Sequence, residues 1–245
     1  MVRRAVSAVI FDWGGTLTPW LNIDPLAAWI ATVADDELAG RLLAAEEEIW
    51  LRARDEHRSA TLDEVFASAG MQPTPEMLAA FHQWWQPHTY LDPEAPALFE
   101  ALRDRGIRVG VLSNTLWPRR VHEEIFARDG VLHLIDGAVY TCEIAWTKPH
   151  PEAFRAVLDA VDVPDPADAV FVGDRLFDDI HGAKSAGMRA VLVPHSDIPQ
   201  AQRGPVDGEP DAVIHRLGEL LAVVDAWAEA EPKANGSERD DRFAR

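Results

Sequence analysis

Val9-Ile10-Phe11-Asp12-Trp13-Gly14-Gly15-Thr16-Leu17 is an apolar run that ends on an aspartate and then turns through two glycines. Residues 5–11 are too short and too rich in Val and Ile for a helix, so they predict a buried strand that delivers a carboxylate to its own end. Gly14 and Gly15 admit backbone conformations closed to other residues, which suits a tight turn directly after that carboxylate. Open α/β sheets bind their ligands at the carboxyl ends of strands, the position this reading gives Asp12. An aspartate at a strand-to-turn junction is also common for purely structural reasons, so the rest of the chain has to decide.

The next strand pattern comes only at Arg108-Val109-Gly110-Val111-Leu112, and about 100 residues separate Asp12 from Ser113. A crossover between neighbouring parallel strands needs only about a dozen. Between them the pattern is helical at 26–33, 37–57, 62–69 and 75–85. Thr61-Leu62-Asp63-Glu64 and Thr74-Pro75-Glu76 have the form of helix starts, with a capping hydroxyl and acid in the first turn. The expectation is a helical domain at 19–92 inserted into an α/β core formed by 1–18 and 93–228. Beyond Ser113 helices at 118–128, 151–161, 178–186 and 217–228 alternate with strands near 137–140, 169–172, 190–193 and 212–214, which implies a Rossmann-like parallel sheet covered on both faces. Residues 229–245 lose their apolar content and read as a disordered tail.

With 47% hydrophobic residues in 245, the chain can bury a substantial core. Its net charge of −18 argues against nucleic acid or an anionic membrane as a partner, because phosphate backbones are bound by clustered Lys and Arg. A single cysteine, Cys142, excludes an intrachain disulfide, and the apolar run that ends at Asp12 is too brief for a signal peptide, so a cytoplasmic protein is expected. Of 23 basic residues only Lys148, Lys184 and Lys233 are lysines, so a lysine invites the question why arginine would not serve.

Four predicted strand ends carry polar groups: Asp12; Ser113-Asn114-Thr115; Thr147-Lys148-Pro149; and Gly173-Asp174 followed by Asp178-Asp179. In a parallel sheet these ends share one edge. A carboxylate nucleophile at a phosphoryl group needs charge screening and hydroxyl or amide donors. The three later aspartates offer hard oxygen ligands suited to Mg²⁺, and Lys148 offers a compact point charge.

This set, in this order, resembles the haloacid dehalogenase superfamily over residues 1–228. Gly173-Asp174-Arg175-Leu176-Phe177-Asp178-Asp179-Ile180-His181-Gly182-Ala183 with Ser185-Ala186-Gly187-Met188 is similar to the last family motif along its full length. Lys148-Pro149-His150-Pro151-Glu152-Ala153-Phe154 is similar to the lysine segment, and the helical insert to a mobile cap. The resemblance implies a hydrolase in which Asp12 is the nucleophile, Ser113 and Asn114 hold the transferred group and Lys148 balances charge. It further implies substrate contacts from Trp13, Gly14, Gly15, Thr16 and Thr115. Mg²⁺ would be held by Asp12, the Gly14 carbonyl, Asp174 and Asp179, with Asp178 as a further candidate, and the substrate would be a small phosphorylated metabolite.

One position departs from the family. Its phosphatases carry a second Asp two residues after the nucleophile, the general acid and base, and here that residue is Gly14. Asp24 or His57 from the cap are the candidate substitutes. Phosphonoacetaldehyde hydrolases also lack that Asp but need a cap lysine, and no lysine precedes Lys148. A 2-haloacid dehalogenase, which dispenses with metal, and a binding or regulatory protein weakened in turnover remain as alternatives. Trp13, Trp20, Trp117 and Trp146 all fall near these motifs and suggest an aromatic-walled pocket. Trp84-Trp85 reads as cap core, Glu46-Glu47-Glu48 as a solvated helix face, and Arg54, His57 and His88 as surface or packing residues. Cys142 reads as a small packed residue.

Overall fold

The computed structural model describes residues 6–19, 23–194, 204–205 and 208–229; Trp20, Lys233 and the tail beyond residue 229 lie outside them. Six parallel strands, β1 (Ala8–Phe11), β2 (Arg108–Ser113), β3 (Gly137–Tyr140), β4 (Ala169–Gly173), β5 (Arg189–Leu192) and β6 (Ala212–Val213), form one sheet in the order β3-β2-β1-β4-β5-β6. All four residues of β1 are buried, as befits the strand at the centre of the sheet, between β2 and β4.

Alternate residues of each strand feed opposite layers. Val9 and Phe11 join Val109, Val111, Val170 and Val172 under α5 (Ala95–Asp104) and α9 (Leu220–Glu229), while Ala8 and Ile10 join Phe171 and Ala190 under α7 (Pro151–Ala160). Helices therefore cover both faces, and each fully buried Phe or Ile contributes about 1.5–3 kcal/mol relative to exposure. The strand order also changes its direction of winding beside β1, whose carboxyl end carries Asp12.

Four helices stand between β1 and α5: α1 (Pro25–Val33), α2 (Asp36–Glu56), α3 (Leu62–Ser68) and α4 (Pro75–Trp85). The side chains of Asp24, Asp35, Thr61 and Thr74 cap the four starts. Trp29, Leu42, Val65, Phe66 and Phe81 give this insert a core of its own, which Leu116 of the sheet edge completes. The insert rests on the core through backbone bonds: Ser59 N to Ala145 O (3.2 Å), Thr147 N to His57 O (2.9 Å) and Leu62 N to Leu116 O (2.9 Å).

The helix expected at 178–186 instead begins as a π-helical turn, Leu176–His181, which continues into the short helix α8 (Gly182–Ser185). The wider turn lets the Asp179 carboxylate accept from Arg175 N (2.9 Å), and Gly173 leaves room for it, since a Cβ there would stand 2.4 Å from the Asp179 side chain.

Candidate active site

The four predicted polar segments do converge, although Thr147-Lys148-Pro149 lies beyond the turn that follows β3 and not at a strand end. Lys148, only 3% exposed, extends its Nζ to 2.6 Å from both Asp12 Oδ1 and Asp179 Oδ1. Burial alone would lower the lysine pKa, but the two carboxylates reverse that and hold Lys148 above its ordinary value, so it is a permanent cation. Burial pushes Asp12 up, opposed by Lys148.

Carboxylate oxygens of Asp12, Asp174 and Asp179 lie within 4.8 Å of one another, all buried. Burial raises Asp174 well above the usual carboxylate range, only partly opposed by Arg175, and its Oδ2 has no hydrogen-bond partner. An orphaned oxygen in a crowd of carboxylates with one lysine between them is the donor set a hard divalent cation completes, so Asp12, Asp174 and Asp179 fit Mg²⁺. Asp178 stands apart from this cluster: it faces Arg175 (3.5 Å), and burial pushes it to about 6.

Several residues expected at the substrate do something else. The Asn114 side chain donates to Lys148 O (3.0 Å) and accepts from Lys148 N (2.8 Å), so its amide is committed to positioning the lysine. Thr16 Oγ1 donates to Asp174 Oδ1 (3.5 Å), and Gly15 lies against the same carboxylate; both support the acidic cluster and neither lines the cavity beside Asp12. Thr115 does line it, but its hydroxyl accepts from Trp117 N (3.0 Å) and meets His122 Nε2 (3.1 Å). Trp13, Gly14 and Ser113 border the cavity as expected.

Of the two glycines only Gly15 needs its freedom, with φ +91° and space for no Cβ: one would stand 2.7 Å from Asp174 Oδ2. A Cβ on Gly14 would meet nothing within 4 Å, and its φ is not in the left-handed region. Gly15→Ala should therefore destabilise the fold by roughly 1–3 kcal/mol and displace Asp174, read as a lower urea midpoint. An unchanged midpoint would remove the steric role assigned to Gly15.

The cavity beside Asp12 has a volume of about 200 Å³. Beyond Asp12, Ser113, Asn114 and Lys148, its walls are Trp13, Trp117, Trp50, Trp85, Phe81 and Glu46, with Arg175 and Asp178 at its base. The aromatic wall is thus real but differently composed. Trp146 stacks on His150 (4.0 Å) outside the cavity, and Trp85 belongs to the wall as well as to the cap. Glu46 is not solvated with Glu47 and Glu48: half-buried, it accepts from Trp29 Nε1 (2.8 Å) and Trp50 Nε1 (3.4 Å), and burial raises its pKa. Spacing alone held this signal, because Trp50 and Glu46 are four residues apart on one helix face.

Two residues that the sequence left unassigned also shape the site. Arg175 adds a guanidinium to the cavity lining beside the Lys148 ammonium. His122, fully buried, stacks on Tyr140 (4.3 Å), meets the Trp13 ring edge-on (4.6 Å) and is pushed down to about 3 by burial, so it is a neutral packing group. Asp24 caps α1 through Leu26 N (2.9 Å), and the His57 ring faces Phe177 (6.1 Å); neither borders the cavity, so neither replaces an acid at position 14 in this conformation. Arg54 pairs with Asp55 (2.7 Å) yet also borders a small recess with Trp50, Asn114, Lys148, Arg175 and Asp178, so it is more than a surface residue, whereas His88 packs on Trp84 (5.4 Å). The Cys142 thiol donates to Trp117 O (3.0 Å) and is raised to about 11 by burial.

Residues 6–187 match the family described as haloacid dehalogenase-like hydrolase. This chain belongs to that family. It is 29% identical over 232 residues to the glyceraldehyde 3-phosphate phosphatase of Methanopyrus kandleri, a match that covers 89% of this hydrolase and 97% of the relative. The crystal structure of a HAD phosphatase from Thermococcus onnurineus superposes with a TM-score of 0.66 at 24% identity, covering 89% of this chain and 98% of the other. The L-2-haloacid dehalogenase of Xanthobacter autotrophicus gives 0.63 at 21%, covering 90% and 98%. At such identities the superpositions establish the fold and leave the reaction open. Among the described residues no helix is long and apolar enough to cross a membrane.

Proposed function

We propose that this hydrolase is a phosphatase or phosphotransferase for a small phosphorylated metabolite, working through an aspartyl-phosphate on Asp12, with residues 19–92 acting as a cap over the core of 1–18 and 93–228. The observation that carries the reading is the buried set Asp12, Asp174 and Asp179 bridged by Lys148. A reaction at carbon on a halogenated acid has no use for a carboxylate cluster with an orphaned oxygen, whereas phosphoryl transfer needs a cation beside the nucleophile. Mg²⁺ held by Asp12, Asp174 and Asp179, with the Gly14 carbonyl as a further ligand, supplies the screening of phosphoryl charge. The phosphatase relative from Methanopyrus kandleri, matched nearly end to end, supports the same choice.

Asp12 Oδ1 is engaged by Lys148, which leaves Oδ2 to attack phosphorus. The new O–P bond forms as the ester O–P bond breaks, and the alcohol oxygen departs with the bonding pair and takes a proton from water; a second water then attacks phosphorus, gives up a proton to the medium and breaks the aspartyl O–P bond, which releases phosphate and restores the carboxylate. Lys148, fixed by Asn114, holds positive charge against the nucleophile throughout, Ser113 offers a hydroxyl to the transferred group, and the aromatic wall keeps bulk water from the leaving group.

The deciding experiment is a panel of phosphorylated and halogenated substrates assayed with Mg²⁺ and with a chelator. Phosphate release that needs Mg²⁺ is expected; halide release that survives the chelator would replace this reading by the dehalogenase one. Asp174→Ala should weaken Mg²⁺ binding and phosphate release together, by more than the roughly 10–100-fold that loss of an outer-shell partner costs. Calorimetric Mg²⁺ titration beside an aryl phosphate assay checks this, and full activity in the variant would remove Asp174 from the metal site.

A further inference from the structure

Glu46 is a carboxylate with a partner missing. Its two oxygens each accept one indole N–H, from Trp29 and Trp50, which satisfies part of their capacity, but no cation of the described chain pairs with it. Charges withdrawn from water are ordinarily paired, and this one borders the substrate cavity. Aromatic side chains line the same cavity. Trp13 and Trp117 lie with centroids 5.6 Å apart, Trp117 meets Phe81 at 5.9 Å and Trp85 at 6.0 Å, and Trp50 rises from the same helix as Glu46. Aromatic faces carry negative potential and attract cations, most strongly when the site is desolvated. The basic residues that line this cavity are Lys148 and Arg175, with Asp12, and Arg54 joins them and Trp50 around a small adjoining recess; none of the three is paired with Glu46.

The geometry points to a substrate that is a phosphate ester of a small alkylammonium alcohol, with the phosphoryl group at Asp12 and Lys148 and the cationic nitrogen in the box of Trp50, Trp85, Trp117 and Phe81 closed by Glu46. The inference rests on the phosphatase reading for the end at Asp12 and on Glu46 and the rings for the other. A neutral sugar phosphate or an aryl ester would fill the same volume but leave Glu46 unpaired. The cation also suits the chemistry, because a positive nitrogen close to the ester oxygen withdraws electron density and makes the alcohol a better leaving group where Gly14 offers no proton. A role for Glu46 as that missing acid is the competing use, and it makes a different prediction.

Three measurements separate these outcomes. Calorimetry compares choline with its neutral isostere, in which carbon replaces nitrogen; hydrolysis compares choline phosphate with the phosphate of that isostere; and p-nitrophenyl phosphate reports phosphatase chemistry without either. Choline is expected to bind at least tenfold more tightly than the isostere, and choline phosphate to show at least tenfold higher kcat/KM. Glu46→Gln should bring both ratios close to one, and Trp50→Leu should reduce them several-fold, so one misfolded variant does not decide the matter. Hydrolysis of p-nitrophenyl phosphate with no preference for the cation would overturn the inference and leave the phosphatase reading standing. No hydrolysis of any phosphate would sink that reading, and the choline binding ratio would still decide the cation box. Loss of kcat on charged and neutral alkyl esters alike in Glu46→Gln, with the ratios kept, would make Glu46 the acid and overturn its pairing role.

Discussion

Asp12→Asn should abolish turnover, by on the order of 10⁶-fold in kcat, while the chain keeps its fold. The amide is nearly isosteric with the carboxylate, but it is no nucleophile toward phosphorus. The variant does not strand Lys148, because Asp179 Oδ1 still pairs with the ammonium at 2.6 Å. Removing one charge from three buried carboxylates within 4.8 Å also relieves repulsion, so melting should shift little or upward. Phosphate release from an aryl phosphate, measured beside a thermal melt, tests both halves. Residual activity near the wild-type rate in a folded variant would eliminate the covalent mechanism. An inactive variant that has also unfolded would make Asp12 a structural residue first.

The sheet was legible because its signals are local and redundant. Val9-Ile10-Phe11 needs no partner to be recognised as a buried strand, and the long interval from Asp12 to Ser113 demanded an inserted body whatever its packing. The meeting of Asp12, Lys148 and Asp174 follows largely from parallel topology, since the segments after β1, β3 and β4 leave the sheet at one edge. Roles that depend on which way a side chain turns were less legible. Asn114 has the right chemistry for holding a phosphoryl group, and nothing in its sequence neighbours says that its amide closes on the backbone of Lys148, 34 residues away. Asp178 and Asp179 are adjacent and chemically identical; the π-helical turn sends one to Lys148 and the other toward Arg175.

Glu46 illustrates the same limit from the opposite side. Three consecutive glutamates on a helix read as solvent-facing, and for Glu47 and Glu48 that holds, since both are exposed. Residue 46 falls on the inner face with Leu42 and Ile49, at the spacing of one helical turn, and the insert then brings Trp29 from another helix to bond it. Periodicity could have suggested the inward face. That the carboxylate would line the same cavity as Asp12 depends on how the insert sits on the sheet edge, and the bonds that fix this run between residues 57–62 and residues 116 and 145–147.

Gly14→Asp should raise turnover of alkyl phosphates by roughly 10²–10⁴-fold, the usual worth of general acid–base catalysis, and raise aryl phosphate turnover much less. An alkoxide leaves poorly without a proton, whereas an aryloxide leaves readily, so an acid at this position discriminates between them. Aspartate at residue 14 would have been ruled out had the turn required glycine there. The turn does not: a Cβ at Gly14 meets nothing within 4 Å, its φ lies outside the left-handed region, and the strained position is Gly15. The new side chain would enter the mouth of the cavity that Gly14 already lines with Asp12 and Ser113. On the proposed mechanism the aspartyl-phosphate of the natural chain should be long-lived, because position 14 supplies no base and neither Asp24 nor His57 borders the cavity. Steady-state rates on one alkyl and one aryl phosphate, for wild type and variant, measure the effect directly. Equal wild-type rates on the two classes would mean that another group, with Glu46 and Asp178 the cavity-lining candidates, already donates the proton, and the gain predicted for Gly14→Asp would disappear with it.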